Sequence, residues 1–251
     1  APTTGDQAGT GTPPQIRYLP STDLWDGFEE RLAAVIRDSG SVEVGELGGG
    51  ANPAVGLAGQ VGHPVNLTVL DIAPEQLDRT PAGVDKLCVD LCAENPPVRE
   101  RFDLVFSRML CEHVRSGATF HRNCHAALRP GGRAVHFFPA ATALPFAVNR
   151  LLPTDLSERI LETLFPARKR GGIYEKFPAY YSWCWGPTET QMERYRSVGF
   201  EVEACDVGIG HGYYEPFPGL RSLEKAKTDL VLRHPTPWLA AFVVVVLRRP
   251  E

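Results

Sequence analysis

Val44-Gly45-Glu46-Leu47-Gly48-Gly49-Gly50-Ala51-Asn52-Pro53 is the stretch on which the fold turns. The apolar run Val42 to Leu47 reads as a strand, and it ends in consecutive glycines. Glycines at that point let the backbone turn tightly and approach a ligand closely. A helix opening after such a turn offers unpaired N–H groups and the positive end of its dipole. A pyrophosphate, or the carboxylate of an amino-acid cofactor, suits that end. A glycine turn alone is a common feature, so its meaning depends on the strands downstream of it.

Downstream lies a series of strands with acids at their ends. Asn66 to Asp71 reads as a second strand, Lys86 to Asp90 as a third and Asp103 to Ser107 as a fourth. Ala118 to Leu128 reads as a helix, Arg129 to Gly132 as a turn and Ala134 to Phe138 as a fifth strand. Asp71 stands about twenty residues past the glycines, where a carboxylate can accept both hydroxyls of a ribose. Asp90 at the next strand end can accept from the amine of an adenine. Singly, each reads as a helix N-cap or turn aspartate; at successive strand ends beside a glycine turn, they read together as a nucleoside site.

Working outward, Leu24, Trp25, Phe28, Leu32, Val35 and Ile36 repeat on one helical face, giving a helix capped by Ser21 or Thr22 and running to Asp38. It is either a lid, with Tyr18 or Trp25 touching the ligand, or a layer on the sheet. Residues 1–20, rich in Pro, Gly and Thr, read as a flexible tail. Beyond the fifth strand, residues 139–187 break the alternation with prolines, aromatics and the basic run Arg168 to Arg170, and read as a cap insertion with helices at 146–152 and 156–164. A helix from Thr188 to Val198, a strand from Glu201 to Val207, a helix from Leu220 to Arg233 and a last strand from Leu239 to Leu247 complete the chain. Alternating strands and helices predict an α/β, doubly wound, mostly parallel seven-stranded sheet with an antiparallel last strand, all in one domain over 21–251.

Composition narrows the function. A net charge of −4 without a basic block leaves no electrostatic footprint for nucleic acid or an anionic membrane. The apolar run 238–247 is too short to span a bilayer. No basic-then-apolar leader opens the sequence, and the six cysteines form no C-x-x-C pair, so buried free thiols in a reducing cytoplasm are expected. No ligand pairs have metal spacing, and no metal is expected. An Arg- and Ala-rich, Lys-poor composition points to a GC-rich bacterial genome and to specialised metabolism.

The motif series E-L-G-G-G at 46–50, V-L-D-I at 69–72, V-D-L at 89–91, F-D-L-V-F-S at 102–107 and L-R-P-G-G at 128–132 resembles that of class I S-adenosylmethionine (SAM)-dependent methyltransferases. The resemblance covers residues 42–138, and weakly 188–248. It implies that Glu46, Gly48 and Gly50 surround the methionine part of SAM. Asp71, with Ile72 beside it, would bind the ribose, Asp90 the adenine amine and Leu91 the adenine ring. Ser107 and Arg108 would reach the methionine end. Asn52 stands where many relatives have a third glycine, and asparagine tolerates a left-handed backbone best of the other residues. NAD binding, the nearest rival on this fold, would want a G-x-G-x-x-G turn opening into a long helix, whereas Pro53 and more glycines come next here. The segments F-F-P, L-P-F-A-V-N-R-L-L-P, E-K-F-P-A-Y-Y and H-G-Y-Y are similar to those of bacterial small-molecule methyltransferases, which implies a small acceptor under the cap and no nucleic-acid or membrane partner.

Methyl transfer needs positioning and, for some acceptors, a base. His113, after the fourth strand, is the first candidate, as base or as a ring packed beside the cofactor; Glu112 is its partner or a surface acid. His121 and His125 share a helix face, and His136 lies in a strand; neither pair nor single ring has a stronger claim. In the aromatic segments Tyr174, Phe177, Tyr180, Tyr181, Trp183, Trp185, His211, Tyr213, Tyr214 and Phe217, Tyr181 and His211 are the expected pocket residues. Asn149 and Arg150 would end a helix over the pocket. Two further readings keep SAM: a cyclase in which SAM's own amine or α-carbon displaces methylthioadenosine, and a protein that binds SAM without turnover.

Overall fold

The computed structural model describes residues 13–143, 178–214 and 217–251. Its described strands are β1 (Gln15–Pro20), β2 (Glu43–Leu47), β3 (Asn66–Asp71), β4 (Asp85–Cys88), β5 (Phe102–Arg108), β6 (Leu128–Pro139), β7 (Glu201–Ile209) and β8 (Phe242–Arg248). They form one sheet in the order β1-β7-β8-β6-β5-β2-β3-β4. β8 is antiparallel to both β6 and β7, and every other pairing is parallel. Buried side chains fill both faces. Val44, Leu104, Phe106, Val135 and Phe137 pack with α1 (Ser21–Asp26) and α2 (Phe28–Ser39) on one side. Leu70, Val105, Ala134 and Phe138 pack with α5 (Gly117–Ala127) and α6 (Glu189–Ser197) on the other. The remaining α-helices among the described residues are α3 (Ala58–Val61), α4 (Pro74–Leu77) and α7 (Pro218–Arg233).

The sheet has one strand more than the sequence predicts, and the extra one comes from the expected tail. Gln15 to Pro20 pair in parallel with Ala204 to Ile209. Charge explains the addition. Asp206 of β7 has a buried carboxylate, its side chain 2% exposed. Arg17 of β1 holds both its oxygens, at 2.8 and 2.9 Å, and Arg31 of α2 lies 2.6 Å from Oδ2. A carboxylate taken from water needs such partners, and they pull residues 15–20 onto the sheet edge.

Other boundaries move for local reasons. The expected single helix over 22–38 breaks at Gly27 into α1 and α2, and Pro20, not Ser21 or Thr22, occupies the N-cap position. The 129–132 turn is a bulge inside β6: Phe102 pairs with Leu128, but Leu104 pairs with Arg133. The predicted third strand stops at Cys88, two residues before Asp90. The last strand begins at Phe242, after a short 3-10 turn over Pro237–Leu239. Thr188 caps α6 as its T-x-x-Q spacing suggests, its hydroxyl accepting the N–H of Gln191. Most of the expected cap over 139–187, including the stretches expected as helices and Asn149, Arg150, Tyr174 and Phe177, lies outside the described residues.

This order positions a site. Strand β2 sits between β3 on one side and β5 on the other, so the order reverses there. A crevice opens at the carboxyl ends of strands flanking such a reversal.

Candidate functional site

At the end of β2 the chain turns on glycine backbone geometry. Gly48 has φ +70 and Gly50 has φ +42, the left-handed region. A methyl group on Gly48 would also stand 2.7 Å from Leu110 Cδ1, so the turn is packed against the loop after β5. Asn52 is not left-handed; its N–H donates to Gly49 O. The expectation that asparagine substitutes there for a third left-handed glycine is therefore corrected: the backbone makes an ordinary turn.

Two acids flank the turn. Glu46 is buried, and its Oε2 accepts the N–H of Ala54 at 2.8 Å, closing the loop on itself. Burial pushes its carboxyl up to about 7, while the Ala54 N–H and the nearby Arg108 pull the other way. Asp71 ends β3. Its Oδ1 accepts the N–H of Ala73 at 2.9 Å. Its Oδ2 lies 3.1 Å from the point where a Cβ on Gly50 would be, so the carboxylate and the bare glycine backbone are side by side. Thr80 pins the turn from behind, its buried hydroxyl donating to Gly50 O at 2.7 Å. Gln76 of α4 also borders Gly50. Ile72 is 63% exposed and forms an open flank.

The loop after β4, where the adenine contacts are expected, is arranged less directly than the strand pattern suggests. Asp90 is exposed in the turn after β4, and its Oδ1 accepts the N–H of Cys92 at 2.7 Å. Leu91 is half-buried against the core. Asn123 of α5 anchors this loop by donating to the carbonyls of Leu91 and Ala93. Nothing local in the sequence marks Thr80 or Asn123, because each acts on a segment some thirty residues away.

At the end of β5, Ser107 and Arg108 separate. Ser107 is fully buried, and its hydroxyl lies 2.8 Å from His136 Nδ1, so its side chain faces the core and not the crevice. Arg108 points outward and pairs with Glu29 of α2 at 3.3 Å. Met109 comes next with φ +55, a conformation that non-glycine residues adopt under constraint.

Further along the chain, Glu112 and His113 meet residues 178–181. His113 Nδ1 lies 2.8 Å from Pro178 O, and burial lowers its pKa from the ordinary histidine value. The Glu112 carbonyl accepts the N–H groups of Tyr180 and Tyr181. Tyr181 (φ +52) is buried and Trp183 (φ +64) stacks on His121 at 5.6 Å, so the predicted pocket aromatics pack in part as core. His113 and Tyr181 are thus brought together. His211 is not with them. It lies past the end of β7, three strands from β5, or about 14 Å across the sheet. Its ring packs on Phe242 and its N–H donates to Glu224 of α7. Burial lowers its pKa to about 4. Trp25 packs edge-on against Phe137 at 4.6 Å, so it serves at least as a layer on the sheet.

Residues 45–136 match the methyltransferase domain family. Among solved structures, a SAM-dependent methyltransferase from Archaeoglobus fulgidus superposes with a TM-score of 0.50 at 12% identity, over 91% of this chain and 98% of that one. The cyclase SpnF gives a TM-score of 0.50 at 15% identity, over 88% of this chain and 81% of that one. At such identities the likeness is one of fold. No curated protein matches the chain.

Proposed function

Since residues 45–136 match a methyltransferase domain and the chain has the class I, SAM-dependent methyltransferase fold, we propose that it transfers a methyl group from SAM to a small-molecule acceptor in bacterial specialised metabolism. The observation that carries the reading is the Asp71 carboxylate lying against the left-handed Gly50 backbone at the reversal in the sheet. A nucleoside needs an acceptor for its hydroxyls beside a turn free of side chains, and this is such a place.

The residues fit the cofactor. Asp71 would hold the ribose, with Ile72 at its side, and Leu91 and Asp90 would border the base. Glu46, Gly48, Gly50 and Arg108 would surround the amino-acid end. Bound SAM supplies a methyl carbon on a sulfonium, a leaving group already activated by its charge. The protein's part is to orient the acceptor, exclude water and move a proton. The turn at 111–113 and the 178–184 segment lie on the acceptor side of that arrangement, with His113 and Tyr181 bordering the acceptor. His211 borders it only if the acceptor extends across the ends of β6 and β8. The acidic balance and six free cysteines support a small acceptor and a reducing cytoplasm. Among the described residues no helix is long and apolar enough to cross a membrane.

The same fold serves a 4+2 cyclase, so fold alone does not fix the reaction, and methyl transfer, cyclisation of SAM itself and binding without turnover need their own test. The purified protein is incubated with SAM alone and then with candidate acceptors. S-adenosylhomocysteine formed only with an acceptor is expected. Methylthioadenosine formed from SAM alone would replace methyl transfer with cyclisation, and SAM binding without either product would leave a binding protein.

A further inference from the structure

One acid on the acceptor side is buried without the partners a buried acid needs. Glu112 lies four residues past the end of β5, and its side chain is 5% exposed. Its Oε1 is 3.7 Å from His113 Nε2. Its Oε2 is buried with no hydrogen-bond partner among the described residues. Buried polar atoms are nearly always paired, and the exceptions call for a reason. His113 is placed differently. A carbonyl oxygen only accepts, so the contact with Pro178 O puts a proton on Nδ1 and leaves the lone pair on Nε2, which faces Glu112. Backbone strain gathers around the same spot, at Met109, Tyr181 and Trp183, as it does where a site is held in one shape.

Building on the methyl-transfer reading, we propose that Glu112, and not His113, takes the proton released by an acceptor that carries an O–H or N–H group. His113 is a positioning residue: it ties down the 178–184 segment through Pro178 and stands beside Oε1 at 3.7 Å, so that Oε2 is the oxygen that meets the acceptor. The step balances. The acceptor's lone pair forms the bond to the methyl carbon, the carbon–sulfur pair stays on sulfur, and the acceptor's proton passes to Glu112 Oε2. The resulting carboxylic acid gives that proton to water when product leaves.

The groups facing Glu112 are His113 and Cys111 on its own turn and Cys184 from the 178–184 segment. Burial pushes both thiols far up, so they stay neutral through the working range. No arginine or lysine among the described residues pairs with Glu112. Burial holds its empty carboxyl up at about 8, so the proton-accepting form grows as pH rises to that point.

Infrared difference spectra of the full chain, wild type against Glu112→Gln, test the proton directly. A carboxylic-acid carbonyl band is expected in wild type at pH 6.5, missing in Glu112→Gln and lost by pH 9.5. Its absence overturns the proposal. Turnover is then followed as S-adenosylhomocysteine release with simple phenols and primary amines as probes. Glu112→Gln should lower kcat roughly 100-fold and abolish the rise with pH, with SAM affinity kept. Glu112→Asp should restore part of the rate. His113→Gln should cost less than about 10-fold and keep the rise with pH. Loss of turnover in His113→Gln with retention in Glu112→Gln overturns the proposal. If wild type methylates none of the probes, the methyl-transfer reading is weakened, while the band still decides whether Glu112 holds the exchangeable proton.

Discussion

Strands β2 to β6 and the flank made by β1, α2 and β7 lie in one sheet but are held by different kinds of information. From β2 to β6 the parts are local. Each strand ends in residues that define the next turn, and Gly50 and Asp71 meet because their strands are neighbours. On the flank, Arg17 and Asp206 are 189 residues apart in sequence, and what joins them is a buried charge. The contrast teaches that the cofactor half is written in motifs, while the flank and the acceptor side are assembled by single long-range contacts.

Removing such a contact should break the flank first. Asp206→Ala leaves the largely buried Arg31 guanidinium without its carboxylate and should cost about 3–5 kcal/mol in urea unfolding. Arg17→Ala, with a half-exposed partner lost, should cost about 1 kcal/mol or less. Equal losses would mean that the carboxylate is not the organising group.

The acceptor side makes a pH prediction. His121 of α5 is buried with its ring stacked on Trp183, and burial lowers its pKa from 6.5 to about 4. Above the higher value both states leave the ring neutral. Below it the unfolded chain binds a proton that the native state refuses, so stability falls as pH falls toward about 4. The stability difference between wild type and His121→Phe should shift against wild type by about 3 kcal/mol from pH 7 to pH 4. A constant difference would put the ring in contact with water.

A further small effect is local. Thr188→Ala removes the N-cap of α6 and should cost about 1 kcal/mol in the same unfolding assay. A loss of several kcal/mol would show that α6 depends on its cap more than on packing.

These differences also mark what can be read in the chain. The glycine turn, Asp71 and the doubly wound order are legible because period, turn chemistry and strand ends are short-range signals. The inward turn of the Ser107 hydroxyl is not legible, because a strand end can turn its side chain to either face and its partner, His136, is 29 residues on. The end of the third strand is placed two residues too far because Val89 and Asp90 continue the alternation after pairing has stopped. Residues 15–20 look like tail because their partner is Asp206, beyond the reach of any window. Glu112 is buried where residues 180 and 181 bind its backbone carbonyl from some seventy residues away, and no pattern around residue 112 announces it.

The central claim is that Asp71 and the glycine turn bind SAM. Calorimetric titration of the full chain with SAM tests it most directly, comparing wild type with Asp71→Ala. Loss of charge-assisted hydrogen bonds to the ribose should weaken binding roughly 100-fold with the fold intact by circular dichroism. An unchanged affinity in the variant, or no SAM binding by wild type, would contradict it.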